Sequence, residues 1–245
     1  LMFCIDNRCT DIYFNLAAEE YLLKQKRENY FMLWQATPTV VIGKHQRVEA
    51  EVDTDYTQQY GVRIARRFSG GGAVYHDAGN VNLTFIETAT QPDFNYYLQQ
   101  TIDFLATVGI TASADSRLGV YIDGQKISGS AQCIHKNRVM YHCTLLFSTN
   151  IEALNASLNG RSEPEVLAPG SHTVRAVPSV KSEVTNVCRH LQQPPDMRRF
   201  LRLLFHYFLS ENGENPIYHF TRNDIEAIER LKRGKYATEA WIWGN

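Results

Sequence analysis

Disulfide staples have no place in this sequence: its five cysteines (Cys4, Cys9, Cys133, Cys143, Cys188) are odd in number and form no CxxC pair. That usage excludes a secreted disulfide framework and points to reduced thiols in a cytoplasmic setting. A charge excess of one sign is also missing, since 25 Lys and Arg stand against 26 Asp and Glu. No global field therefore recruits nucleic acid or an anionic membrane, and any anion site has to be local. Long apolar runs are absent too; none approaches the ~20 residues that cross a bilayer. The opening LMFCIDNRCT carries early charge and no apolar h-region, so it does not read as a secretory signal. There is no internal repeat, no low-complexity tail, no Walker A pattern and no GxGxxG opening a helix.

What is present suits a packed domain. The chain has 245 residues, 44% of them hydrophobic, enough for a full core without metal or disulfide. We expect a single domain over 1–245. Residues 11–26 read as a helix, with Ile12, Leu16 and Leu23 on one side and Thr10 or Asp11 as its cap. YFMLWQA and TVVIG read as buried strands broken at Pro38, and GVRIARR (61–67) as a strand feeding a glycine run. NLTFIE (82–87) leaves that run, and 94–109 is a helix stopped by Gly109. RLGVYIDG, QKISGSAQCIH and RVMYHCTLLFS form a β-meander with turns at Asp123-Gly124 and Lys136-Asn137. Residues 195–213 carry a broad apolar helical stripe, and a Thr-x-x-Asp cap opens a last helix in TRNDIEAIERLKRGKY. Residues 159–183, with three prolines and two glycines, read as a long loop over a site. Strands and helices mix without strict alternation, which gives the α+β class.

Two stretches carry chemistry. In RRFSGGGAVYHD (66–77), Gly70, Gly71 and Gly72 sit between two strands, where glycine loses the most freedom on folding. Either the run is a plain glycine-rich hairpin, or its N–H groups form an anion-holding concavity. Arg66 and Arg67 alternate along the strand, so one guanidinium can face the site and grip a carboxylate or phosphate, with the Ser69 hydroxyl adding a donor. In DGQKISGSAQ (123–132), Lys126 lies among Ser128, Gly129, Ser130 and Ala131. It is either a solvated edge lysine or an ammonium placed to neutralise a charge that builds up during reaction. On one continuous strand Lys126, Ser128 and Ser130 would share a face.

Together these stretches resemble the lipoate–protein ligase and lipoyltransferase family. RRFSGGGAVYHDAGNVN (66–82) is close to the family's RRxSGGGxVxHDxGNxN, and KISGSAQ (126–132) matches its lysine block. YHCTLLFS, NLAAEEYLL, LWQATPTVVIGKHQ, SVKSEVTNV (179–187) and the closing KYATEAWIWGN match further blocks, from about residue 12 to the C-terminus. The resemblance implies a biotin/lipoate ligase-like catalytic domain, a mixed and mainly antiparallel β-sheet flanked by helices. It implies ATP and Mg²⁺ as cofactors and lipoate as substrate, with transfer to apo lipoyl domains of 2-oxoacid dehydrogenase complexes or to the glycine cleavage H protein. By the same resemblance Lys126 is the catalytic charge stabiliser. Arg67, Ser69, Gly70, Gly71 and Gly72 hold the phosphate and carboxylate end, with His76 in the same loop system. Ser128, Ala131 and His142 belong to the lipoyl or adenylate pocket, and Asn80 fixes a turn.

Two departures stand out. The family's Arg-Asn-Asp before the lysine strand is replaced by Arg117-Leu118-Gly119-Val120, which removes a plausible Mg²⁺ ligand and leaves the metal ligands unassigned. The sequence also stops at Asn245, where a small accessory domain begins in many family members. Three readings follow: a ligase complete without that domain, a ligase needing a separate accessory chain, or a transferase using a preformed acyl donor. A cysteine-dependent octanoyltransferase would place its nucleophile at Cys133 or Cys143, and a non-catalytic carrier-binding homologue is the remaining alternative. His142 and Cys143 are adjacent on a strand and point to opposite faces, which disfavours a Cys/His zinc site.

Overall fold

The computed structural model describes residues 1–160, 177–210 and 213–244. β1 (Phe3–Asp6) leads into α1 (Ile12–Gln25), whose N-terminus is capped by the Asp11 carboxylate accepting from the Tyr13 N–H. β2 (Tyr30–Trp34) and β3 (Thr39–Ile42) follow. Two short helices unforeseen from the sequence come next, α2 (Val48–Glu51) and α3 (Thr54–Tyr60). Neither shows apolar periodicity: α3 buries Thr57 alone, and it exists because Asp53 caps its start while Gly61, at φ 67°, ends it. β4 (Arg63–Arg66) is thus shorter than the strand expected from residue 61.

β5 (Val74–His76) and the long β6 (Asn80–Thr88) leave the glycine run, and α4 (Phe94–Thr107) returns over the sheet. β7 (Ser113–Ala114), β8 (Val120–Ile122), β9 (Gln125–Ser128), β10 (Ser130–His135) and β11 (Arg138–Leu146) make up the meander. α5 (Ile151–Ser157), α6 (Met197–Ser210), α7 (Arg222–Leu231) and α8 (Glu239–Trp243) follow, with a 3₁₀ turn at Val187–His190 and a π-helical turn at Lys232–Tyr236. α7 opens with the expected reciprocal box, Thr221 with Asp224.

A five-stranded sheet has the order β1-β2-β6-β11-β10; two three-stranded sheets have the orders β4-β3-β5 and β7-β8-β9. Among the described strands β1/β2 and β3/β4 pair in parallel and the other strand pairs are antiparallel, so the fold is α+β with mixed, mainly antiparallel sheets, as expected. β11 shows how the sheet positions side chains. It sends Tyr141, Cys143 and Leu145 into the core beneath α4 and α6, and Met140 into the core beneath α1 and α7. His142 therefore falls on the α1 side.

Phe200 and Phe208 of α6 lock the first core by stacking on Phe147 at 4.1 Å and Phe31 at 4.5 Å. Burying each such ring contributes roughly 1.5–3 kcal/mol. His206 lies on the exposed side of α6.

One expected strand is broken. QKISGSAQCIH splits at Gly129, with β9 in a three-stranded sheet and β10 in the five-stranded one. The expected loop 159–183 lies mostly outside the described residues; its described end, 177–183, has no regular secondary structure and runs on into a segment that lies beside β9. The Lys126 N–H donates to the Glu183 carbonyl at 2.8 Å, and the Thr185 N–H donates to the Lys126 carbonyl at 3.0 Å, laying this segment along β9.

Candidate active site

The glycine run crosses from β4 to β5 over the end of β3, the central strand of its sheet. Gly71 has φ 89°, a left-handed conformation that favours glycine. Arg67 shapes the run from behind. It donates to the Gly70 carbonyl at 2.7 Å, the Gly72 carbonyl at 2.6 Å and the Val41 carbonyl at 3.3 Å. Burial lowers its guanidinium pKa to about 10, opposed by the charge of Glu19. The neighbouring Arg66 points elsewhere, donating to the carbonyls of Ile242, Trp241 and Gln46 and tying the C-terminal helix to the loop.

Ser69 does not reach a ligand-sized space. Its hydroxyl is 2.7 Å from His142 Nε2, and His142 Nδ1 is 3.0 Å from Glu19 Oε1. Thr84 donates to the same carboxylate at 2.5 Å and accepts from Trp34 Nε1 at 2.9 Å. A serine, histidine and carboxylate in sequence have the connectivity of a hydrolase triad. Here the serine is only 1% exposed. A hydroxyl so enclosed cannot meet a substrate carbonyl, so the chain of bonds holds the loop and the His142 ring in place.

Two cavities adjoin here, and the first faces the glycine run. The first, about 320 Å³, is lined by Leu16, Trp34 and Val41 together with Arg67, Gly71, Gly72, His76, Lys126, Ala131 and His142. The second, about 450 Å³, is lined by Glu51, Tyr75, Leu146, Leu154, Lys126 and Ser128, among others. Lys126, Gly129 and Thr144 line both, so the lysine stands at the junction. The glycine run and the lysine segment close on each other there: a Cβ at Gly71 would lie 3.7 Å from the Ala131 Cβ, and one at Gly129 would lie 3.7 Å from the Lys126 Nζ. Burial lowers the Lys126 pKa from the ordinary lysine value, with Asp115 opposing the fall and Arg117 adding to it.

Of the residues singled out from the sequence, Lys126, Arg67, Gly71, Gly72, His76, Ala131 and His142 come together on the first cavity. Ser69 and Gly70 line neither cavity. Lys126, Ser128 and Ser130 do not share one face. The break at Gly129 turns Ser128 to the second cavity and Ser130 to the first, where its hydroxyl donates to the Leu118 carbonyl. Asn80 is buried, and its N–H donates to the Asp77 carbonyl at 3.1 Å. Asp77 itself accepts from the Gly79 and Asn150 N–H groups and fixes that turn.

The sequence reading missed three residues. Glu19 supports His142; its signal was a carboxylate at helical spacing from Leu16 and Leu23, inside the apolar side of α1. Gln46 accepts from the Gly43 N–H at 2.9 Å and donates to the Ser179 hydroxyl at 3.0 Å. Ser179 accepts from the Ala73 N–H at 2.8 Å and joins the segment along β9 to the glycine run. Both lie in blocks already quoted, but hydrogen-bond direction leaves no periodic signature.

Among the described residues no group of three or more His, Cys, Asp or Glu side chains could hold a metal ion, and no helix is long and apolar enough to cross a membrane. Burial raises the Cys133 and Cys143 pKa values to about 12, away from the thiolate an acyl carrier needs.

Residues 11–209 match the family model for the lipoyl protein ligase A/B catalytic domain. The chain is 31% identical over 249 residues to lipoate–protein ligase 1 of Staphylococcus aureus, covering 100% of this chain and 74% of that protein. It is 32% identical over 251 residues to lipoate-protein ligase LplJ of Bacillus subtilis, covering 99% and 74%. A solved bi-partite lipoate protein ligase from Thermoplasma acidophilum, determined with its E2 lipoyl domain, superposes at a TM-score of 0.80 and 24% identity, covering 99% of this chain and 96% of that one.

Proposed function

This chain belongs to the lipoyl protein ligase A/B catalytic domain family, and we propose that it is a lipoate–protein ligase. It activates lipoate with ATP to lipoyl-AMP and transfers the lipoyl group to a lysine of an apo lipoyl domain. The observation that carries this reading is the placement of Lys126 at the junction of a largely apolar cavity and a second, roomier one, opposite the glycine run.

Lipoate lies in the first cavity with its carboxylate at the junction, and ATP lies in the second. The carboxylate oxygen attacks the α-phosphorus, a P–O bond forms, and pyrophosphate leaves with the electrons of the broken bond. Negative charge rises on the α-phosphoryl oxygens, where the Lys126 ammonium is in place without reorganisation. The acceptor lysine's neutral amine then attacks the mixed anhydride, and AMP leaves as the amide forms. Lys126 again faces the acyl oxygen as it gains charge. Most of the acceleration comes from holding the reactants together and from that fixed charge.

Mg²⁺ bound with ATP would neutralise phosphate charge, and such an ion would need only one or two protein carboxylates. Glu51, the acidic side chain lining the second cavity among the described residues, fits this role. Its Oε1 accepts from the Ser179 N–H at 3.1 Å. Asp115, near Lys126, is engaged by its own loop through the Gly119 and Arg117 N–H groups and the Tyr121 hydroxyl. The acceptors are the lipoyl domains of 2-oxoacid dehydrogenase complexes and the glycine cleavage H protein.

Incubation with ATP, Mg²⁺, lipoate and an apo lipoyl domain is expected to add one lipoyl mass to the domain, read by mass spectrometry. A gain only with synthetic lipoyl-AMP would instead make the chain a transferase. No gain with any donor would leave a carrier-binding protein. The raised thiol pKa values argue against a thioester route. Cys133→Ala is expected to keep ATP-dependent lipoylation within about threefold of the parent, the effect of a small packing change. An acylated Cys133 or Cys143 in the intact-protein mass spectrum during turnover would restore the cysteine mechanism.

A further inference from the structure

The second cavity has two ends. At one it meets the first cavity, where Lys126, Gly129 and Thr144 line both. At the other it opens into a third, more exposed depression, and Asn155, Lys181, Ser182 and Val184 line both of these. The third depression shares no lining residue with the first cavity, so the second lies between them. Among the described residues two cationic side chains line the second cavity, and they mark its ends: Lys126 at the junction and Lys181 at the opening.

Lys181 is exposed, yet its backbone is fixed on both sides. Shortly before it, the Ser179 N–H donates to Glu51 Oε1 at 3.1 Å, and the Ser179 hydroxyl accepts from the Ala73 N–H at 2.8 Å. Shortly after it, the Glu183 carbonyl accepts from the Lys126 N–H, and Val184 bridges to Lys126 itself. One pair of hydrogen-bonded segments therefore carries a lysine to each end of the cavity.

Substitution at phosphorus places the entering and leaving oxygens roughly in line. With the acyl carboxylate arriving from the first cavity, the bond from the α-phosphorus to the bridging oxygen breaks on the far side. Its electron pair leaves with pyrophosphate toward the third depression. Lys126 faces the entering side, so the charge that grows on the departing group lies at the end lined by Lys181.

We propose that Lys181 stabilises pyrophosphate as it leaves ATP and that the third depression is its exit. The inference rests on the ligase reading, with the acyl chain in the first cavity and ATP in the second. No proton moves in this step: the ammonium stays charged and offsets the charge gained by the bridging oxygen. Glu183 also lines the depression, so an anion that has passed Lys181 is not retained there. The two lysines then divide the work. Lys126 serves both half-reactions, and Lys181 serves the first alone, because acyl transfer involves no pyrophosphate.

In Lys181→Ala, kcat for pyrophosphate release with ATP, Mg²⁺ and lipoate is expected to fall about 10–100-fold, less than for an enclosed donor because water and salt screen an exposed charge. Transfer from synthetic lipoyl-AMP to an apo lipoyl domain is expected to keep the parent rate. Lys181→Arg, which keeps the charge, is expected to restore most of the first step. Inhibition by added inorganic pyrophosphate should weaken about tenfold in Lys181→Ala, the order of one charge-assisted hydrogen bond, while the dissociation constant of AMP read by calorimetry is unchanged. Pyrophosphate release at the parent rate in Lys181→Ala, or an equal loss in both half-reactions, overturns the proposal and leaves the ligase reading standing. A wild type that transfers from lipoyl-AMP but releases no pyrophosphate from ATP overturns the ligase reading, and the proposal with it.

Discussion

Lys126→Ala is expected to lower the rate of pyrophosphate release with ATP and lipoate by about 10²–10³-fold, the usual cost of removing one preorganised charge-stabilising group. The loss should fall on kcat, because the ammonium matters most when the α-phosphoryl oxygens carry extra charge. Transfer from synthetic lipoyl-AMP should fall as well, since the same ammonium faces the acyl oxygen in the second step. Stability should change by less than about 1 kcal/mol, since among the described residues the half-buried side chain makes no hydrogen bond or ion pair and only its backbone is tied into β9.

A pH profile gives a second readout. Burial lowers the Lys126 pKa, so the ammonium is lost at lower pH than for a free lysine. The alkaline fall in rate should therefore begin below the ordinary lysine range and disappear from the residual activity of Lys126→Ala. A fully active alanine variant, or equal loss of melting temperature and rate, would remove Lys126 from the mechanism.

How much of this was readable in advance depends on what kind of constraint each residue meets. That Lys126 and the glycine run would meet at one cavity was legible because the proposed chemistry restricts residue type: an ammonium where charge would develop, and bare backbone where a close approach is needed. The helices α1, α4, α6 and α7 were legible from apolar spacing and caps. By contrast α3 is held by Asp53 and Gly61 around a segment that buries Thr57 alone, and α5 by the Asn150 side chain accepting from the Ala153 N–H. α8 starts at Thr238 in a terminal stretch whose aromatic residues suggest packing but no period. In each of these the decisive bond is one side chain long and leaves no repeat to count.

The site shows the same division. That Ser69 and an arginine belong near the glycine run was readable, but their direction was not. Ser69 turns its hydroxyl onto His142, and Arg67 turns its guanidinium onto the loop carbonyls. Ser69 therefore supports the wall from behind, while Arg67 lines the cavity and braces the loop. Direction is set by partners distant in sequence, such as Glu19 and Val41, and a single sequence does not connect them. The split of KISGSAQ at Gly129 has a similar origin. Continuous strand spacing gave one face to Lys126, Ser128 and Ser130. Pairing of Lys126 with the segment at Glu183–Thr185 instead commits β9 to its own surroundings.

Gly43→Ala is expected to lower adenylate formation by about 10²-fold although residue 43 carries no functional group. Gly43 follows β3, directly beneath the glycine run, and does not have a positive φ, so alanine is barred by space rather than by dihedral. A Cβ there would lie 2.1 Å from the Gly71 carbonyl oxygen and 3.3 Å from the Arg67 Nη2. The first contact is with backbone, and that backbone is clamped. Arg67 holds the carbonyls on either side of Gly71, and the Lys44 N–H donates to the Ser69 carbonyl at 2.9 Å. Relief therefore means moving Gly71 by about 1 Å, a shift able to cost a hundredfold in rate when it displaces groups around reacting atoms.

The strain itself is worth about 1–3 kcal/mol, as in other overpacked sites. A melting temperature lower by several degrees should accompany a folded protein. Gly70→Ala is the control in the same loop. A Cβ at Gly70 meets nothing within 4 Å and its φ is not positive, so this variant should keep its melting temperature and most of its activity. If Gly43→Ala turns over normally, or if Gly70→Ala is equally damaged, then the position of the Gly71 backbone does not control the reaction.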